Sequence, residues 1–353
     1  MTSPKDIKDY LDEYVIGQED AKEVISNALF LHLARSNYKI ENPDTKFKKS
    51  NLLIMGPSGC GKTYIVERAA EFVKVPFFKL NAKSLSNTGF VGQSIQSFFE
   101  DFYEDCTNTA MFNYCIVFID EFDKICQPAG DHGSTNWYLN LQYSLLKILE
   151  GDRLTKSSSS VSMGQRTKLP KNLCTDNMMF ILAGNFEGLR VNRSNPKSDI
   201  GFATPEKAVK KYEPFQQELI NYGVVRELVG RVSNITEVKQ LSVNDYVKIL
   251  KTARDSIYHQ YVELFKYLGE ELVLTDKELR SIARRAQKLE IGSRGLQSVF
   301  EDYLSDRISK LSVDTAPEAK LKEATLNYYK SLDFSADKIS IKVLGDDDKG
   351  PIK

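Results

Sequence analysis

Eight consecutive residues constrain this chain more than any other stretch: Gly56-Pro57-Ser58-Gly59-Cys60-Gly61-Lys62-Thr63 matches the phosphate-loop pattern at every fixed position. The apolar run Asn51-Leu52-Leu53-Ile54-Met55 leads into the octet and Tyr64 follows it, so the loop is expected where a strand turns into a helix. Its glycines let the backbone curl with successive N–H groups turned onto phosphate oxygens, and the helix adds its positive N-terminal end. Lys62 is then placed to reach the β- and γ-phosphates of ATP, and the Thr63 hydroxyl to hold Mg²⁺. Further on, the apolar run Cys115-Ile116-Val117-Phe118-Ile119 ends in Asp120-Glu121. Asp120 is expected to support the metal, through water, and Glu121 to polarise the attacking water.

A chain of 353 residues exceeds the usual limit of one hydrophobic core, so two domains are expected. Lys plus Arg equals Asp plus Glu at 48 each, and a dedicated nucleic-acid binder would more often carry a basic excess. Five cysteines, Cys60, Cys106, Cys115, Cys126 and Cys174, show no CxxC spacing, which suits reduced thiols better than a disulfide or zinc framework. No apolar run approaches the eighteen or so residues that span a bilayer, and Met1 to Asp20 lacks the apolar stretch of a secretion leader. A soluble, cytoplasmic protein without a membrane partner is the expectation.

Along the chain, residues 4–18 read as a short helix and a turn, and Ala21, Val24, Ile25, Ala28 and Leu29 follow a helical rhythm. The trio Tyr14-Val15-Ile16 is either plain core or, just upstream of a phosphate loop, the wall of an adenine pocket. Residues 63–74 read as helix, 75–80 as strand, and 178–184 as another buried strand. Continuous apolar strands separated by helices imply an α/β fold with a parallel sheet covered on both faces. Residues 155–177 read as a loop or surface hairpin and 190–205 as a second loop. Beyond Val238 the pattern turns helical: one long helix from Ser242 to Leu268, a brief strand at 271–274, and helices at 276–288 and from Ser293. The resulting division is a large ATPase domain over 1–237, a smaller helical domain over 238–345, and a flexible tail over 346–353.

Five motifs occur here in one order: Tyr14-Val15-Ile16-Gly17-Gln18, the phosphate loop, Asp120-Glu121-Phe122-Asp123-Lys124-Ile125, Leu145-Leu146-Lys147-Ile148-Leu149-Glu150-Gly151, and Gly292-Ser293-Arg294-Gly295-Leu296. Together they resemble the AAA+ protein unfoldases of the ClpX type, with the HslU ATPases as more distant relatives, over roughly residues 4–315. No cysteine cluster precedes Tyr14 in this sequence, so the family's N-terminal zinc-binding domain is not expected here.

The resemblance implies a P-loop AAA+ large domain, a homo-hexameric ring, and roles for further residues. Arg231 matches the arginine finger that reaches the neighbouring subunit's γ-phosphate, Arg294 matches sensor 2, and Asn185 stands where sensor 1 would orient water. Gly89-Phe90-Val91-Gly92 resembles the pore loop that grips unfolded or tagged protein substrates, with Phe90 in place of the usual Tyr. Ile200-Gly201-Phe202 matches the tripeptide that docks on a ClpP-like peptidase. Taken alone, Phe90 reads as a core residue, while Ile200 and Phe202, in a polar loop, either fold back on their own domain or insert into a partner's pocket. Two loops depart from the family: Gly164-Gln165-Arg166-Thr167-Lys168 lacks the histidine of its basic pore-entrance element, and the region near His132 to Asn136 also diverges. Two rival readings share the hydrolytic site, a remodelling chaperone that works without a peptidase and a nucleic-acid motor. The second would want basic pore loops, which Gly-Phe-Val-Gly does not supply.

Overall fold

The structure, a computed structural model, describes residues 2–45, 47–85, 95–106, 109–126, 135–153, 173–189, 214–289 and 291–312. The chain divides into two compact units, Met1–Asp306 and Arg307–Lys353, and the site described below lies wholly within the first. The segments 89–92, 164–168 and 200–202, and residues 132–134, all singled out above, lie outside the described residues.

Strands β1 (Asn51–Met55), β2 (Phe77–Asn81), β3 (Ile116–Asp120), β4 (Met179–Gly184) and β5 (Val232–Glu237) form one sheet in the order β2-β3-β4-β1-β5. Every pairing is parallel. The side chains divide by the two-residue period of a strand. Leu52, Ile54, Ile116, Phe118, Met179 and Ile181 join one core. Leu53, Met55, Val117, Ile119, Phe180 and Leu182 join the other.

Helices α1 (Pro4–Tyr14), α2 (Glu19–Glu41) and α3 (Lys62–Val73) contribute Ile7, Leu11, Ile25, Leu29, Ile65 and Ala69 to the first core. Helices α4 (Ile95–Asp105), α5 (Thr135–Glu150), α6 (Pro214–Tyr222) and α7 (Arg226–Val229) contribute Phe99, Leu141, Leu145, Leu219 and Leu228 to the second. Burying each such side chain contributes about 1.5 to 3 kcal/mol, so a sheet covered on both faces has ample driving force. Helices α8 (Val243–Thr252), α9 (Ile257–Tyr267), α10 (Asp276–Lys288) and α11 (Arg294–Ile308) follow. Three helix starts are written locally as reciprocal caps: Ser3 with Asp6, Ser242 with Asp245, and Thr275 with Glu278. Among the described residues no helix is long and apolar enough to cross a membrane.

Two local expectations are corrected, and one strand goes unforeseen. The long helix from Ser242 to Leu268 is two helices: Ala253 is extended, and Ser256 starts α9 by accepting a hydrogen bond from the Tyr258 N–H while its own hydroxyl donates to the Leu250 carbonyl. Residues 271–274 are no strand but an unpaired segment whose Leu272 and Leu274 are buried and whose Val273 is exposed. The edge strand β5 was not anticipated, because Ser233, Asn234 and Thr236 break its apolar pattern.

Candidate active site

The carboxyl ends of β3, β4 and β1 lie side by side, which is where parallel α/β sheets place their ligands. From them emerge Asp120-Glu121, Gly184-Asn185 and the loop from Gly56. The Gly56 N–H donates to the Gly184 carbonyl at 3.1 Å. A Cβ on Gly56 would stand 2.3 Å from the Val238 carbonyl oxygen, so the first glycine of the loop is required by close approach of the backbone.

Lys62 turns back into the curl, donating to the carbonyls of Gly56 at 2.8 Å and Pro57 at 2.9 Å. Burial pushes its pKa down, with Asp120 and other neighbouring charges opposing the shift. The Thr63 hydroxyl donates to Asp120 Oδ2 at 3.4 Å, and Lys79 Nζ approaches the same oxygen at 3.4 Å. Glu121 follows with φ of 56°, a left-handed conformation that a non-glycine residue adopts at a cost. Its carboxylate pairs with Lys83 Nζ at 3.2 Å. Ser58, Gly59, Asn185 and Arg294 join these groups around a cavity of about 450 Å³.

A second cavity, of about 440 Å³, shares Gly61, Tyr64 and Ser293 with the first. Tyr14, Val15, Ile16 and Cys60 line it, together with Leu241, Ile249 and Tyr261 from far along the chain. The Tyr14 ring faces the guanidinium groups of Arg68 at 5.8 Å and Arg254 at 5.5 Å, contacts that hold an aromatic ring in place. The volume and the largely apolar lining suit a flat heterocycle.

Several contacts at the two cavities join residues far apart in the sequence and carry no local signal. The Ser293 N–H and hydroxyl both donate to the Gly59 carbonyl, at 2.8 and 2.9 Å, so the turn before α11 sits on the phosphate loop. Ser293 lay within a motif already singled out, without an assigned role. Gln18 exchanges two hydrogen bonds, each 2.8 Å, with the backbone of Lys239 beside the second cavity. The Tyr64 hydroxyl donates to Asp255, and burial together with that carboxylate pushes the phenol's pKa up.

Arg231 is not brought to this site. It precedes β5, whose Val232 pairs with Asn51 at the start of β1, whereas the phosphate loop leaves the far end of that strand. At about 3.3 Å per residue the separation along the sheet is roughly 17 Å.

The residues present fit a nucleoside triphosphate with Mg²⁺. A partly buried ammonium held by main-chain carbonyls can exchange them for phosphate oxygens, and a hydroxyl beside a carboxylate is the oxygen donor set that Mg²⁺ takes alongside phosphates.

The AAA domain family (Cdc48 subfamily) matches residues 47–235. The chain is 33% identical over 311 residues to the ATP-dependent Clp protease ATP-binding subunit ClpX 2 of Wolinella succinogenes, covering 86% of this chain and 76% of that protein. It is 32% identical over 329 residues to the ATP-dependent Clp protease ATP-binding subunit ClpX 3 of Methylococcus capsulatus, covering 86% of this chain and 75% of that protein. The chain belongs to the ClpX family of AAA+ ATPases. It is therefore an ATPase on a P-loop α/β fold, and the two cavities flanking Gly61 lie where this ClpX-type chain places its phosphate loop.

Proposed function

We propose that this ATPase unfolds protein substrates and translocates them through the pore of a homo-hexameric ring, delivering them to a ClpP-like peptidase. Support for this reading comes chiefly from the similarity to two ClpX subunits across three quarters of their length, spanning the phosphate loop, the acidic pair and the turn at Ser293. Residues 1–237 are read as the ATPase domain and 238–345 as the helical domain that supplies Arg294.

Within one subunit Gly56, Pro57, Ser58, Gly59, Cys60 and Gly61 cradle the phosphates, Lys62 neutralises their charge, and Tyr14, Val15, Ile16 and Tyr64 flank the base. Thr63 and Asp120 hold Mg²⁺, which when bound draws charge from the β- and γ-phosphate oxygens. Glu121 orients the attacking water, Asn185 assists it, and Arg294 contacts the nucleotide from the first turn of α11. Arg231, a strand's length away, serves the neighbouring subunit's site, and the placement supports this because it cannot serve its own. Gly89-Phe90-Val91-Gly92 grips substrate and Ile200-Gly201-Phe202 docks the peptidase; both assignments rest on the sequence.

The test is the ATPase rate of the full chain with an unfolded protein and, separately, with single-stranded DNA. Stimulation by protein alone is expected. Stimulation by DNA alone would replace the unfoldase with a nucleic-acid motor.

A further inference from the structure

Among the described residues, the Arg231 guanidinium is held by Glu150. Its Nε and Nη2 both donate to the same carboxylate oxygen, Glu150 Oε1, at 2.8 and 2.5 Å. Both side chains are about half exposed, 52% and 41%, so the pair contributes little to the stability of the fold. Nor does helix stability account for Glu150: it is the last residue of α5, where an acid faces the negative end of the helix dipole.

The grip is side-on. Nη1 and the outer proton of Nη2 take no bond among the described residues and remain available to an acceptor. The guanidinium opens onto a surface groove of about 790 Å³ whose wall includes Lys39, Lys48, Asn51 and Ser233. The post that carries Glu150 is fixed at its middle. Buried Gln142 of α5 donates to the carbonyls of Ile125 at 2.9 Å and Gly223 at 3.0 Å and accepts from the Val225 N–H at 2.9 Å. One helix thus ties the stretch after the acidic pair to the turn that leads to Arg231, and its end sets the guanidinium.

We propose that Glu150 is a positioning residue for Arg231, holding the guanidinium side-on so that its outer edge is presented to the neighbouring subunit's terminal phosphate. The inference rests on the reading of Arg231 given above. An arginine side chain has many rotamers, and fixing the productive one before the nucleotide arrives raises turnover without altering nucleotide affinity.

The experiment measures ATPase kcat and KM, and the apo melting temperature, for full chains carrying Glu150→Ala, Glu150→Gln, Arg231→Ala and the double change Glu150→Ala with Arg231→Ala. Glu150→Ala is expected to lower kcat on the order of tenfold with KM and Tm unchanged. Glu150→Gln, which keeps an acceptor oxygen, recovers part of that loss. Arg231→Ala loses on the order of a thousandfold, and the double variant is no worse than Arg231→Ala alone.

If Arg231→Ala is crippled while Glu150→Ala turns over normally, the positioning role is overturned and the finger reading stands. An additive loss in the double variant shows Glu150 acting elsewhere, and a drop in Tm with a raised KM shows a merely structural role; either overturns the inference. Full turnover by Arg231→Ala would remove the finger reading and this inference with it.

Discussion

Gly59 offers a test of how the turn before α11 is held against the phosphate loop. Its φ is +72°, and a Cβ there would stand 2.0 Å from the Ile291 carbonyl oxygen and 2.9 Å from Gly292 Cα. Gly61 is the natural control: its φ is +93°, but a Cβ would meet nothing within 4 Å. For Gly61→Ala the expected cost is the left-handed backbone alone, about 1 to 2 kcal/mol. Gly59→Ala carries the same backbone cost and also forces residues 291–293 away. That withdrawal breaks the two Ser293 hydrogen bonds to the Gly59 carbonyl, each contributing about 0.5 to 1.5 kcal/mol. The total is then roughly 2 to 5 kcal/mol. At about 1.5 to 2 °C per kcal/mol for a unit of roughly 300 residues, melting without nucleotide should fall by about 1.5 to 4 °C for Gly61→Ala and by about 3 to 10 °C for Gly59→Ala. Differential scanning calorimetry of the apo chains reads both. Equal drops for the two variants would refute the docking of the 291–293 turn on the loop.

Three more outcomes are expected. Glu121→Gln should retain ATP binding and lose turnover, whereas Lys62→Ala should weaken binding itself; equilibrium binding of a fluorescent ATP analogue beside a phosphate-release assay separates the two. Phe90→Ala should impair unfolding of a stable substrate while ATP hydrolysis continues, and Phe202→Ala should abolish only degradation in the presence of a peptidase, since a Phe seated in a partner's pocket contributes about 1.5 to 3 kcal/mol. A large loss of melting temperature in Phe202→Ala would instead mark that residue as core. Lys49 donates to the carbonyls of Ile148 and Thr175, and burial pulls its pKa from 10.5 to about 8. Between those values the unfolded chain binds more protons than the native one, so this group's contribution to stability rises with pH across the window. Urea melts at about pH 7.5 and about pH 9.5 should show a rise in the parent that Lys49→Met lacks.

The nucleotide half of the site was legible because its chemistry is contiguous. A phosphate cradle needs several backbone N–H groups in a row, so Gly56 to Thr63 had to appear as one word, and Asp120-Glu121 had to end a buried strand. The helix caps at Ser3, Ser242 and Thr275 were legible in principle for the same reason, each being completed within three residues. The second cavity was half legible. Tyr14 to Ile16 pointed to it, but Leu241, Ile249, Asp255 and Tyr261 reach it only through the fold. Strand β5 escaped because an edge strand tolerates Ser233 and Asn234, and the break in the helix after Thr252 escaped because neither Gly nor Pro marks it. The partner of Arg231 was equally hidden, since Glu150 stands 81 residues away and belonged to a motif with no chemistry of its own.

On the proposed reading, the roughly 17 Å of sheet between Gly56 and Arg231 gives each subunit two unlike edges, one that receives a terminal phosphate and one that attends to someone else's. In the proposed ring, damage therefore has a direction. A lesion at Lys62 silences the subunit that bears it, while a lesion at Arg231 leaves its bearer able to fire and silences the next subunit on one side. Doped into intact rings, the two kinds of defective subunit would remove the same number of working sites but leave them at different positions relative to the defect. That offset shows which neighbour each guanidinium serves.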